Sequence, residues 1–381
     1  MKRYVLIAAA ALSIALGIVG GALAGRDLAK PHGPGAKPEP SHTSSRPSLI
    51  PSVAPQLDEW LKGLHAPSKA PKPAHHKTSA THKAAQAAPK QKPQPAPKPK
   101  PQPQPRPAEH LRGTTSIYEH TTKPWVLAEQ GCAAAQRQES GVVVLDFGKP
   151  AFRRHGYGTI LFSGHFALNH QITRGMVGYA QGYVSCLPAG SAASIILARG
   201  TSNYHPEVPS AYTAGVRWAR ATNKLGRILH HKGLDAHVES AAADDAEPAW
   251  DPAFHQTKHF FHGFRAAVHG HTLYDYGSLD GGVGAIWSAK QAWYVAGGIR
   301  HTAALPEIYN TAMAQQWAEL AWIAHSRYHR GVHFAGVMTQ GTPDCDCGLR
   351  PHAAHRVLAD ALDHQGVRNA VLPRSSTNIV G

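Results

Sequence analysis

The chain has 381 residues, with 39 Lys+Arg against 24 Asp+Glu and a formal net charge of +15. Residues 1–110 hold 16 Lys/Arg against 5 Asp/Glu, a net of +11, whereas residues 111–381 hold 23 against 19, a net of +4. The basic charge thus lies where proline does, with 19 of 30 prolines in residues 31–107, and this excludes reading it as a nucleic-acid-binding face of a folded domain.

In chain order, Met1-Lys2-Arg3 places two cations before Tyr4 to Gly25, a run without charge. Ala22-Leu23-Ala24 before Gly25 has the small-x-small form of a cleavage site, so residues 1–25 are expected to be a secretory signal. An uncleaved anchor is the alternative, since the run is long enough to span a bilayer. Either way the remainder is expected outside the cytoplasmic membrane, secreted or associated with a cell wall, with the membrane touched only through this segment.

Residues 26–110 follow as a Pro/Lys/Ala-rich linker, culminating in PKQKPQPAPKPKPQPQPRP at 89–107. Proline lacks the amide donor and fixes φ, so neither helix nor sheet is expected, and the chain should be extended and solvated. At ~3.1 Å per residue such a spacer reaches roughly 250 Å. Its lysines suit solubility and contact with anionic wall polymers.

Residues 111–381 suit one large domain. Candidate strands are 142–146, 159–164, 194–200, 236–241, 272–276, 292–296, 306–309 and 332–338, and candidate helices 167–184, 212–231, 257–269, 312–328 and 352–363. Eight strands with interposed helices predict a (β/α)8 TIM-like barrel. Continuous apolar strands such as Val142-Val143-Val144-Leu145 fit parallel strands buried on both faces. A doubly wound sheet is the runner-up, and it lacks its Gly-rich phosphate loop here.

A barrel places its chemistry at the carboxyl ends of the strands. The polar residues expected there are Asp146, Ser163, His165, Arg199, Ser202, Asn203, Tyr204, Glu239, Asp244, Asp245, Glu247, Asp275, Tyr276, Asp280, Glu307, Tyr309, Thr339 and Gln340. Segment 239–251 is the densest in acids. Packed like charges raise one another's pKa, which is what a general acid needs near neutral pH. Trp250, Tyr274, Tyr276 and Trp287 are candidates for a sugar-stacking floor. No G-x-S-x-G or H-E-x-x-H occurs, and the 20 histidines of the domain follow no consistent ligand spacing, so neither metal nor cofactor is expected. One or two disulfides are expected among Cys132, Cys186, Cys345 and Cys347, with Cys132–Cys186 one candidate pairing, and the Cys345-Asp346-Cys347 spacing is too short for a structural zinc pair.

The order of signal, Pro/Lys spacer and barrel, with Val144-Leu145-Asp146-Phe147 at strand one and acids after strand four, resembles the glycoside-hydrolase-like barrels of secreted actinobacterial proteins, distant relatives of lysozyme-type family 25 glycoside hydrolases. The resemblance covers about residues 140–366. It implies Asp146 in the strand-one role. Family 25 enzymes carry Asp-x-Glu on strand four; here the chain departs from that pattern, with His237-Val238-Glu239 replacing it and Asp245-Ala246-Glu247 keeping the spacing but lying further on.

The expectation is a secreted hydrolase acting on a cell-wall or other extracellular polysaccharide such as peptidoglycan. Glu247 serves as general acid, Asp245 stabilises developing charge, and Asp146 is the third catalytic carboxylate. Glu239, Asp244, Trp250, Asp275, Tyr276, Glu307, Tyr309 and Gln340 are expected to line the substrate. The alternatives are a non-catalytic glycan-binding barrel tethered by the linker, and a barrel hydrolysing amides or phosphoesters.

Overall fold

The computed structural model describes residues 112–154, 156–341, 348–367 and 370–381. The expected signal and linker, with Cys345 and Cys347, lie outside them.

Eight parallel strands form one sheet in the order β10-β11-β1-β2-β6-β7-β8-β9. They are β1 (Arg112–Tyr118), β2 (Gly141–Asp146), β6 (Ile195–Gly200), β7 (Val238–Asp244), β8 (Leu273–Asp275), β9 (Thr302–Ala304), β10 (Val337–Thr339) and β11 (Ser375–Val380). The sheet curls until its two edges meet, through parallel bridges Ala304–Phe334 and Glu307–Met338. The result is an α/β barrel. Between β2 and β6 the chain inserts a three-stranded antiparallel sheet of β3 (Lys149–Arg153), β4 (Gly156–Ile160) and β5 (Phe166–Leu168).

Helices return the chain between strands: α1 (Pro124–Gln136), α2 (Asn169–Cys186), α3 (Ala211–His231), α4 (His255–Ala267), α5 (Ala289–Trp293), α6 (Thr311–Tyr328) and α7 (Pro351–His364). Ser210 and Asn310 cap α3 and α6, each side chain accepting from the amide three residues on, which satisfies a donor the helix cannot. Helices α1 and α2 approach so closely that a Cβ on Gly182 would lie 1.9 Å from the Ala128 carbonyl oxygen. A Cys132–Cys186 disulfide ties the same pair. Among the described residues no helix is long and apolar enough to cross a membrane.

Strand alternation divides the core. Val143, Leu145, Leu197 and Ala242 pack outward against helix residues such as Trp218, Phe261 and Phe264. Val142, Val144, Ala198, Ala241, Ala243, Tyr274, Tyr276, Leu305, Met338 and Ile379 fill the lumen.

Three expected strands are corrected. Residues 159–164 contribute to β4 of the insertion, not to the barrel. Residues 292–296 are helical, because Ser288 and Gln291 form a capping box that starts α5. Residues 306–309 follow β9 instead of forming a strand of their own. The first and last barrel strands, β1 and β11, were not among those expected.

Candidate active site

The lumen alternation extends to the carboxyl ends of the strands and decides which acids meet. Asp146 continues the Val142-Val144 face, Asp245 the Ala241-Ala243 face, Tyr276 the Tyr274 face and Glu307 the Ala303-Leu305 face. Register places Tyr118 of β1 directly beside Asp146. The Tyr118 hydroxyl feels the charges of Glu307, Asp245, Asp146 and Glu247, which come from three other parts of the barrel. These groups therefore converge across the upper lumen. Tyr309 donates its hydroxyl to Glu307 Oε1. The Tyr276 hydroxyl donates to the Thr201 carbonyl at 3.2 Å and lies close to Asp146.

Burial dominates the electrostatics. It lifts Asp146 to about 6, with the Gly148 amide opposing at 2.8 Å from Oδ1. It lifts Glu247 to about 7, helped by the charge of Asp280 and opposed by bonds from Ser278. Asp245 and Glu307 are raised well above the carboxylate range, by burial first and then by neighbouring acids including Glu247. Carboxyl groups this close titrate as a set and share protons near neutral pH.

Glu247 is the least buried of the four and stands where the backbone is firmly held. Asn203 accepts from the Glu247 amide at 3.0 Å and donates to its carbonyl at 2.9 Å. Asn203 also donates to Thr257 Oγ1 at 3.0 Å, so the clamp is anchored in α4. Asp280 Oδ2 accepts from the Ala249 amide at 2.6 Å and fixes the short turn that carries Trp250.

Aromatic side chains flank this acidic floor. Trp250 meets the exposed Tyr204 edge-on at 5.3 Å, and Lys149 lies over the Tyr204 ring at 5.8 Å. On the other side of β2, exposed Phe162 packs 4.8 Å from Tyr118. Lys149 and Arg153 are both paired with Glu207, whose carboxyl they hold down at about 2.

The expected residues thus divide. Asp146, Asp245, Glu247, Tyr276, Glu307 and Tyr309 come together, and Trp250 stands at their rim. Gln340 follows β10 and is partly exposed. Glu239 is corrected: it is the second residue of β7 and is exposed at the opposite end of the barrel, because Ala241-Ala242-Ala243 extend the strand beyond the expected 236–241. Asp244 and Asp275 are at the right height but on the other face. They are register partners, and Asp244 lines a small space with Ala214, Gln256 and Phe260 between sheet and helices. Burial lifts Asp275 to about 8, and Asp244 is raised by burial and by Asp275. Trp287 is no platform: it is buried 4.9 Å from Phe254, with Nε1 donating to the Asp251 carbonyl. Tyr274 is buried lower in the lumen.

Tyr118 and Phe162 contribute without having been expected there, whereas Asn203 was expected at the rim. The alternation Thr114-x-Ser116-x-Tyr118 ahead of Glu119 was the available signal for the first. Among the described residues no group of three or more His, Cys, Asp or Glu side chains is arranged to hold a metal ion.

No protein-family model matches the chain, and no curated protein does. Among solved structures it is similar to a β-mannanase from Streptomyces thermolilacinus, with a TM-score of 0.38 and 14% identity over 70% of this chain and 78% of that chain. The crystal structure of such a β-mannanase with mannohexaose gives a TM-score of 0.38 and 13% identity over 71% of this chain and 78% of that one.

Proposed function

We propose that the chain is a secreted hydrolase of a cell-wall or other extracellular polysaccharide, working by carboxylate acid–base chemistry. The observation that carries this reading is the set of four lumenal acids held at different protonation tendencies under an aromatic rim. Cleavage through an oxocarbenium-like transition state needs one protonated and one ionised carboxyl group. Glu247, near 7 and the most open, donates the proton to the leaving oxygen. Asp146, near 6, is the first of the set to stay ionised and supplies negative charge beside the sugar. Asp245 and Glu307 hold protons longer, raised by burial and in part by the charge of Glu247. The signal-like residues 1–25 and the Pro/Lys spacer support an extracytoplasmic setting, with the spacer's cations contacting anionic wall polymers.

Glu247→Gln should abolish release of new reducing ends from wall polysaccharide while leaving binding intact. Undiminished turnover in that variant removes Glu247 from the acid role.

One observation favours a second reading, a glycan-binding barrel without turnover: Asp245 and Glu307 are both raised far above the range of an ionised nucleophile. Retention of wall polysaccharide by the wild-type chain with no new reducing ends selects that reading.

A further inference from the structure

We propose that the upper lumen recognises a glycan bearing free amino groups, a de-N-acetylated hexosamine polymer, with one sugar ammonium facing the unpartnered oxygens of Asp146 and Asp245. This deepens the polysaccharide reading of the same site and rests on it.

The first observation is an unmet demand for donors. Asp146 Oδ2 and Asp245 Oδ1 are buried and have no hydrogen-bond partner, in side chains only 1% and 7% exposed. An orphaned buried acceptor is costly, and the cost falls only when a ligand supplies the donor. The second is charge. No ion pair among the described residues reaches a lumenal acid, and no cation figures among the groups acting on Asp146, Asp245, Glu247 or Glu307. Lys149 and Arg153 are committed to Glu207. The third is the lining. Tyr118, Tyr276 and Tyr309 stand among the acids, and aromatic rings beside carboxylates suit an organic cation.

These features discriminate between ligand classes. A uronic acid or phosphate polymer would add negative charge beside Asp146, the acid of the set that ionises first and that no cation offsets. A neutral hexose offers one hydrogen per hydroxyl and leaves the charge in place. A primary ammonium offers three donors and the missing positive charge. Among the described residues no three of the acids are arranged to hold a multivalent metal ion. Nonspecific attraction of a cationic glycan is opposed by the chain's own net charge of +15.

The test is calorimetric titration of the full-length secreted chain with two matched pairs of hexamers, β-1,4-linked glucosamine and α-1,4-linked galactosamine, each in free-amine and fully N-acetylated form. A charge-assisted hydrogen bond predicts a preference of roughly 10- to 100-fold for a free-amine form over its acetylated partner. Asp146→Asn and Asp245→Asn should each remove most of that preference. Equal or tighter binding of the acetylated forms, binding of neither pair, or a preference that survives both substitutions overturns the inference. Amine-selective binding without new reducing ends upholds it while removing the hydrolase reading. Hydrolysis of a neutral glycan without amine preference does the reverse.

Discussion

The two ends of one barrel lumen differ as sharply as two different proteins would. At the carboxyl ends of the strands the lumen is lined by Asp146, Asp245, Glu307 and three tyrosines. At the amino ends the same strands border an open cleft of about 530 Å³ lined by Val142, Ile196, Tyr274, Ala303, Phe334 and Ala335, with Arg374 and Ser375 at its edge. The lower end is lined mainly by apolar side chains. The upper end buries acids at a desolvation cost no structural role offsets, and such local violations of good packing mark sites of function.

The largest effect should come from crossing the wall of the barrel by a single residue. Asp245→Asn or Glu247→Gln should lower polysaccharide hydrolysis by about 10²–10⁴-fold, the range of a lost acid–base group. Asp244→Asn, on the helix-facing side, should change the rate by no more than a few-fold in the same assay. Comparable losses at 244 and 245 would break the distinction between lumen and outer face.

Titration comes next. Asp146, Glu247 and Asp275 have folded-state pKa values of about 6, 7 and 8, all above their unfolded values. Their stabilising contribution is complete below about pH 4 and is lost as pH rises through about 6 to 8. Calorimetric melting temperature should therefore fall across that window, and Asp275→Asn should flatten the fall. Glu207 has the opposite sign, being held down at about 2, but its contribution is lost only below about pH 4. A melting temperature that climbs between about pH 6 and 8 would mean that these acids fold ionised. Hydrolysis should also decline above about pH 7 as Glu247 loses its proton.

The lower lumen should respond in stability alone. Val142→Ala should cost about 1.5 kcal/mol in denaturant unfolding, from lost burial and an incompletely filled space, with hydrolysis unchanged. The smallest effect belongs to the rim. Tyr204→Ala removes the edge partner of Trp250, and a pair of this kind is worth about 0.5–1.5 kcal/mol. That translates to a few-fold rise in KM at constant kcat.

Much of this architecture was legible, and the failures share a cause. Strands β2 and β6 read clearly because apolar side chains cover both faces, and the long helices read from their period. Strands β1 and β11 did not, because their lumenal side chains are hydroxyls that satisfy one another. Ser116 Oγ bonds Thr377 Oγ1 at 2.7 Å, and Thr114 Oγ1 donates to the Val142 carbonyl. A polar residue buried by mutual pairing looks exposed to any hydrophobic pattern. The site shows the same limit. Asp146, Asp245, Glu247 and Glu307 were found as polar residues beyond strand ends, which needs only approximate boundaries. Separating Asp245 from Asp244, or Tyr276 from Asp275, needs the strand's phase to the residue, and a one-residue slip exchanges the faces. Glu239 was misplaced for that reason: three alanines carry no signal for where the strand stops.

The pairing of β1 with β11 has a kinetic meaning. Arg112 lies beside Ser375, so the seam joins residues more than 260 positions apart, as the Ser116–Thr377 bond also does. Loop closure over such a span comes late and slows folding. The first strand can settle early on β2, to which Thr114 and Ser116 also bond, but its other edge stays unpaired until the last strand arrives.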